Sequence, residues 1–215
     1  PGSQGLDPRD GDHATVGALD ALADGAPGPL VLVRAYAAGL FPMADGEDIA
    51  FYRADPRAVI PVESPRLPRS VARALRRRPY RIELNRDFAG VLTECAAGRD
   101  DGEWLSPALR LAYVRLHLAG VAHSVECWDG PRLVGGLFGV ALGGLFTSES
   151  MFHRAPDAGN VALVATAERL RERRFALWDI QMASVHTRRF GAIEIPDREY
   201  RRRLAAALAL EREFT

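Results

Sequence analysis

Apolar positions in this chain follow helical spacing in some stretches and strand-like alternation in others. Between Leu30 and Leu40 they recur at helical intervals, and Gly39 with Pro42 closes the run, so a short amphipathic helix is expected. Residues 49–60 read as extended, interrupted by the turn signal Ala54-Asp55-Pro56. A proline-rich stretch from Pro61 to Pro68 follows. Beyond it the pattern predicts a short helix over 69–77 and a strand over 80–84. A helix over 86–97 comes next, with Asn85 as its cap and Gly98 as its stop. Ser106-Pro107 opens another helix, because proline suits a first turn, and Gly120 ends it. Strands over 122–128, 132–140 and 145–149 are joined by Asp129-Gly130 and Gly143-Gly144. Asp157 is expected to cap a helix with Val161, Leu163, Val164, Ala167 and Leu170 on one side. A strand over 175–182, a short helix over 184–190 and a last helix from Asp197 to about Glu211 complete the chain, the last burying Leu204, Ala207 and Leu208.

Hairpins, then a helix, a strand and a helix, predict an α+β fold with a central mixed sheet flanked by helices. Three segments are expected: 1–28, a tag remnant (Pro1-Gly2-Ser3) and loosely packed Gly/Asp/Pro/Ala-rich chain; 29–63, a small N-terminal domain; and 64–215, the larger domain. At 215 residues the chain can bury a substantial core.

Composition removes several function classes. With 28 Lys+Arg against 28 Asp+Glu the formal charge is zero, which argues against a chain coated in nucleic acid. No apolar run approaches the roughly 20 residues of a membrane span, and no export signal opens the chain. Cys95 and Cys127 cannot form a disulfide framework and read as reduced thiols of a cytoplasmic protein. The five histidines lack metal-ligand spacing with one another or with cysteine, so no metal site is expected. Nucleotide-binding glycine loops and the G-x-S-x-G nucleophile motif are absent as well.

Three features carry candidate chemistry. Arg66, Arg69, Arg73, Arg76, Arg77, Arg78 and Arg81 fall within 16 residues that contain no acid. That cluster is either a solvated helix face or a site for a polyanion such as an RNA backbone. Glu149 ends an apolar strand among small residues, where it can hold an ammonium or guanidinium group or simply face solvent. Asp179 and Gln181 share one side of a strand, with Trp178 and Ile180 on the other. Two polar groups on a buried strand face either bind something or close a satisfied buried network.

The chain resembles the leucyl/phenylalanyl-tRNA–protein transferase family. The similar pieces are Ala35-Tyr36, Gly39-Leu40-Phe41-Pro42, Asp55-Pro56-Arg57, Trp104-Leu105, Ala112-Tyr113, Leu116-His117 and Ala122-His123-Ser124-Val125-Glu126. They continue through Leu133-Val134-Gly135-Gly136-Leu137, Glu149-Ser150-Met151-Phe152, Asp179-Ile180-Gln181, His186, Gly191-Ala192 and Glu194-Ile195-Pro196. They occur in order over roughly residues 30–205. The resemblance implies a small N-terminal domain and a GNAT-like domain. It implies transfer of Leu or Phe from aminoacyl-tRNA to an acceptor protein with N-terminal Arg or Lys, in the cytoplasm, by a monomer that needs no cofactor.

Residue by residue, the resemblance makes Asp179 and Gln181 a catalytic relay, with Gln181 at the attacking amine, and gives Glu149 to the substrate ammonium or acceptor. Leu137, Phe146, Met151, Leu163 and Trp178 fall where the family lines its amino-acid pocket. Trp104 falls near the terminal adenosine, and Arg69, Arg73, Arg76, Arg77 and Arg78 near the acceptor stem. Departures include Met43 for a frequent Trp, Phe51-Tyr52-Arg53-Ala54 for Trp-Trp-Ser-Pro, Gly159-Asn160 for a frequent Ser-Lys, and Trp178 for a usual Ile or Leu. Rival readings are an acyl-CoA-dependent N-acyltransferase, a tRNA-dependent aminoacyltransferase for a small molecule, and a non-catalytic RNA-binding module. The first would need a glycine loop where Arg154-Ala155-Pro156-Asp157-Ala158-Gly159 stands, and Asp157 would repel the pyrophosphate.

Overall fold

The two hairpins over residues 122–153 form the centre of the larger of two sheets. The computed structural model describes residues 13–15, 26–46, 48–63, 68, 71–73, 80–97 and 104–215. Among the described residues ten strands run in chain order: β1 His13–Thr15, β2 Phe41–Asp45, β3 Asp48–Tyr52, β4 Arg57–Ile60, β5 Arg81–Leu84, β6 Ala122–Asp129, β7 Arg132–Leu142, β8 Leu145–His153, β9 Leu177–Asp179 and β10 Ile193–Ile195. The helices given whole by the described residues are α1 Pro29–Ala37, α2 Phe88–Ala96, α3 Pro107–Leu118, α4 Ala158–Glu172, α5 Val185–Arg189 and α6 Asp197–Leu208. One sheet has the order β1-β3-β2 and the other β10-β4-β9-β8-β7-β6-β5. Only β8 and β9 run parallel among the paired strands of the described residues; the rest of the large sheet is antiparallel. The α+β expectation with a mixed sheet is met, and the arrangement is compatible with the GNAT-like description.

Residues 29–63 contribute to both sheets. α1, β2 and β3 belong with the small sheet, while β4 lies between β10 and β9 in the large one. Arg69, Arg76, Arg77 and Arg78 lie outside the described residues; Arg73 is exposed, within a helical turn that includes 71–73.

Local chemistry explains most boundaries. Ser106 Oγ accepts from the Leu109 N–H, and Pro107 follows it at the first helical position. Ser184 and Thr187 form a reciprocal capping box that holds α5 despite its five residues. The expected cap at Asn85 is not used. Asn85 takes a left-handed φ of 59° and bonds to β6, and Asp87 caps α2 through the Gly90 N–H. Asp157 stands before α4 with φ 61° and makes no side-chain cap; its Oδ1 accepts from Asn160 Nδ2 at 2.9 Å instead. β8 continues to His153, past the expected end at Glu149, because β7 pairs along its whole length. β9 stops at Asp179, short of Met182, because the backbone turns left-handed at Gln181.

Side chains sort by sheet face. Leu137, Phe146 and Trp178 meet α4, with Leu163, Phe175 and Phe214 in the same buried cluster. Tyr36, Phe88, Tyr113, Phe138 and Phe152 form a second cluster beneath α1, α2 and α3. Leu145, Leu177, Tyr200 and Leu204 form a third against α6. Phe214 stacks on Phe146 with ring centroids 4.8 Å apart. Burying a ring of that size stabilises by about 2–3 kcal/mol. Among the described residues no helix is long and apolar enough to cross a membrane.

Candidate active site

Strand register brings the candidate residues together. β8 and β9 are parallel, with Thr147 opposite Asp179. Two residues further along each strand stand Glu149 and Gln181. The regular pairing has ended there, and the two side chains bridge the gap: Gln181 Nε2 donates to Glu149 Oε1 at 3.1 Å.

A bulge stands at Glu149. Phe138 pairs with Ser150 and Gly139 with Ser148, so Glu149 has no opposite number on β7. Before the bulge Phe146 and Ser148 face the α4 side; after it Met151 does. Glu149 keeps the alternation of Thr147 and faces away from α4, toward Tyr113; the extra residue returns Met151 to the α4 side. The backbone closes so tightly there that a Cβ on Gly139 would sit 2.1 Å from the Thr147 carbonyl oxygen. Only glycine fits.

Glu149 accepts from the Thr147 hydroxyl at 2.6 Å on Oε1 and from the Tyr113 hydroxyl at 3.1 Å on Oε2. The Tyr36 and Tyr113 hydroxyls are 2.7 Å apart. Desolvation raises the Glu149 carboxyl above its ordinary value, with nearby Asp179 adding to the rise and the hydroxyls opposing it. Burial and the Glu149 charge hold both tyrosines well above the usual phenol value, so they stay neutral donors.

Asp179 is fully buried and heavily bonded. Arg57 Nε and Nη2 donate to it at 2.9 and 2.7 Å, the Tyr200 hydroxyl at 2.6 Å and the Gln181 N–H at 2.9 Å. Arg57 is itself buried, between the Phe41 and Tyr200 rings, and its Nη1 donates to the Gly39 carbonyl at 3.0 Å. Burial opposes its charge, but Asp179 more than offsets this and holds the guanidinium above its usual value. The bond from the Gln181 N–H to the Asp179 side chain closes a local turn, and Gln181 takes a φ of 57°. A non-glycine residue held in that region costs about 1–3 kcal/mol. The anchoring at Asp179 sustains it, which aims the carboxamide at Glu149.

The sequence-level candidates therefore divide. Glu149, Asp179 and Gln181 come together, but Asp179 reaches Gln181 through its backbone N–H and not its carboxamide. Trp178 and Asp179 turn opposite ways, as the alternation predicts. Trp178 joins the α4 cluster and donates to Ser148 Oγ at 2.8 Å. Leu137, Phe146 and Leu163 are deeply buried in that cluster, and Met151 lies at its margin against Gly159. Trp104 packs against the other cluster, and its carbonyl accepts from the Ala44 N–H of β2. Among the described residues no three His, Cys, Asp or Glu side chains could hold a metal together.

Arg57, Tyr36, Tyr113, Thr147 and Tyr200 were not assigned a role from sequence. Three of them (Arg57, Tyr36 and Tyr113) stand inside the pieces that carry the family resemblance, and a lone glycine in a strand, Gly139, is a sequence signal for a bulge.

Comparison with known proteins decides the family. The model of the leucyl/phenylalanyl-tRNA protein transferase family matches residues 59–205. The chain belongs to this family. It is similar to the leucyl/phenylalanyl-tRNA–protein transferase of Rubrobacter xylanophilus, 48% identical over 188 residues, which cover 86% of this chain and 97% of that protein. The protein of the same name from Akkermansia muciniphila is 44% identical over 184 residues, covering 84% and 95%. That from Phenylobacterium zucineum is 48% identical over 189 residues, covering 85% of each. This member of the leucyl/phenylalanyl-tRNA–protein transferase family carries Glu149 on β8, Asp179 at the end of β9 and Gln181 in the turn that follows it.

Proposed function

We propose that this chain transfers Leu or Phe from aminoacyl-tRNA to the N-terminal amine of an acceptor protein beginning with Arg or Lys, creating a degradation signal. The observation that carries this reading is the hydrogen-bonded pair of Gln181 and Glu149 at the end of the paired part of β8 and β9. An aminoacyl ester is already activated. An α-amino group titrates near 7.7–8.0, so a useful fraction is nucleophilic at neutral pH. The enzyme has to align amine and ester, accept one proton and steady the oxyanion. No nucleotide, CoA or metal is needed for that.

Gln181 donates through its Nε2 to Glu149, which leaves its carbonyl oxygen to accept from the incoming amine. Glu149 lies within reach of the same amine. The side chain of the transferred residue lies against Met151, with Leu137, Phe146, Leu163 and Trp178 behind it. Trp104 borders the terminal adenosine, and Arg69, Arg73, Arg76, Arg77 and Arg78 meet the acceptor stem. The protein works as a cytoplasmic monomer.

The acyl-CoA alternative is not favoured. Asp157 puts a carboxylate at the start of α4, where a pyrophosphate would need bare backbone amides. Incubation of the purified protein with a pool of charged tRNAs and peptides beginning with each amino acid, without ATP or CoA, tests the reading. Mass spectrometry should find Leu or Phe added to the Arg and Lys peptides. Absence of any adduct, or product only when acetyl-CoA is supplied, would reject it.

A further inference from the structure

Asp179 has no open position for a substrate atom. Its two oxygens take the Arg57 fork, the Tyr200 hydroxyl and the Gln181 N–H, and none of its surface reaches solvent. Each of the three Arg57 nitrogens donates as well: Nε and Nη2 to Asp179, Nη1 to the Gly39 carbonyl. A guanidinium does not give up its proton in a protein, so the charge opposite Asp179 is permanent. Arg57 lies 122 residues from Asp179 in the chain and reaches it because β4 pairs with β9, Val59 opposite Asp179.

Glu149 is held differently. It is only partly buried, and its partners are neutral: the Thr147 and Tyr113 hydroxyls and the Gln181 amide. Hydroxyls can rotate from donor to acceptor as a carboxylate becomes a carboxylic acid. The charged or titratable groups that face it are Tyr36 from α1, Tyr113 from α3, Asp179 from β9, Arg57 from β4 and Tyr200 from α6.

We propose, resting on the aminoacyl-transfer reading, that Arg57 and Tyr200 are positioning residues. They fix Asp179 as an anchor for the Gln181 turn, with every acceptor position taken, so that Glu149 and not Asp179 takes the proton of the acceptor amine. The amine nitrogen attacks the ester carbonyl; the carbon–nitrogen bond forms and the carbon–oxygen bond to the ribose breaks. Glu149 takes the proton that nitrogen loses and returns it to the departing ribose oxygen. The products are an amide and a free ribose hydroxyl, with Glu149 restored.

The test uses the full chain, Leu-tRNA and an Arg-initiated peptide. It reads kcat, both KM values and the pH dependence of kcat for wild type, Tyr200→Phe, Arg57→Lys and Glu149→Gln. Tyr200→Phe leaves the Arg57–Asp179 pair in place and keeps the fold measurable. It should lower kcat at least tenfold, keep both KM values within about twofold, and leave the acid limb of the profile where it is. Arg57→Lys keeps the charge but not the fork and should not rescue kcat. Glu149→Gln should lower kcat at least tenfold and leave only the acid limb set by the acceptor amine, near 7.7–8.0. A limb displaced to higher pH in Tyr200→Phe would show that Asp179 carries the proton, and an unchanged kcat there would show that the clamp positions nothing. Either outcome overturns the assignment while wild-type transfer stands. Wild type that makes no adduct instead overturns the functional reading and this assignment with it.

Discussion

Gln181 donates its carboxamide N–H to Glu149 across 3.1 Å, joining a left-handed turn after β9 to a bulge in β8. Each partner stands on a local irregularity, and each irregularity is sustained by buried structure: the Asp179–Arg57–Tyr200 cluster on one side, the Gly139 close approach on the other.

Arg57→Met would leave Asp179 as a buried carboxylate without its cation. Removing one partner of a buried ion pair costs about 3–5 kcal/mol, a large part of the stability of a domain this size. Urea unfolding should show a clearly lower midpoint. Asp179→Asn should do the same by stranding the Arg57 charge, even though the side chain keeps its shape.

Trp178 faces Phe146 across β8 and β9 and is tied to Ser148, which precedes Glu149. Under the proposed pocket assignment its bulk narrows the space for the transferred side chain. Trp178→Leu should raise transfer of Phe relative to Leu in a competition between the two charged tRNAs, by a factor of roughly ten to a hundred, since a change in pocket volume discriminates by about 1–3 kcal/mol. Thermal unfolding should record the loss of packing, with a destabilisation of about 2–4 kcal/mol.

His123 gives the protein a pH dependence of stability unrelated to catalysis. Burial, with His117 adding to it, lowers its pKa from the ordinary value to about 4. The geometry agrees: Asn85 Oδ1 accepts from the Ser124 N–H, so Asn85 Nδ2 must donate to His123 Nδ1, which has to be unprotonated. Between the unfolded value near 6.5 and the folded value, only the unfolded chain takes the proton. Stability should therefore fall as pH drops through that window, by on the order of 2 kcal/mol, and His123 should add nothing further below it. Comparing urea midpoints at pH 7 and pH 4.5 for wild type and His123→Gln checks this, the variant showing the smaller loss.

Replacing Arg76, Arg77 and Arg78 together by Ser should weaken tRNA binding and flatten its dependence on salt, because each phosphate contact contributes to the release of counterions. Filter binding at several salt concentrations measures both. An unchanged slope would place the RNA elsewhere on the surface.

Much of the fold is legible in the residues because its signals are local. Ser106-Pro107 and Asp129-Gly130 mark a helix start and a hairpin through their own backbone preferences. Asn85 and Asp157 mislead for the same reason: both are good capping residues, yet β6 claims the Asn85 side chain and Asn160 that of Asp157. The alternation places Trp178 and Asp179 on opposite faces correctly. It cannot see that the strand ends at Asp179, because the left-handed turn at Gln181 depends on a carboxylate held by an arginine 122 positions earlier. The approach of Glu149 to Gln181 likewise requires the parallel register of β8 and β9, which is a property of the folded sheet.

Single-turnover transfer of labelled Leu from Leu-tRNA to an Arg-initiated peptide, by wild type and by Gln181→Ala, bears most directly on the proposal that Gln181 and Glu149 handle the incoming amine. Wild type should form the amide without nucleotide or CoA. Gln181→Ala, folded and still binding the charged tRNA, should form it about a hundredfold more slowly, the scale expected when a group that assists proton transfer is lost. Equal rates in the two proteins would contradict the account.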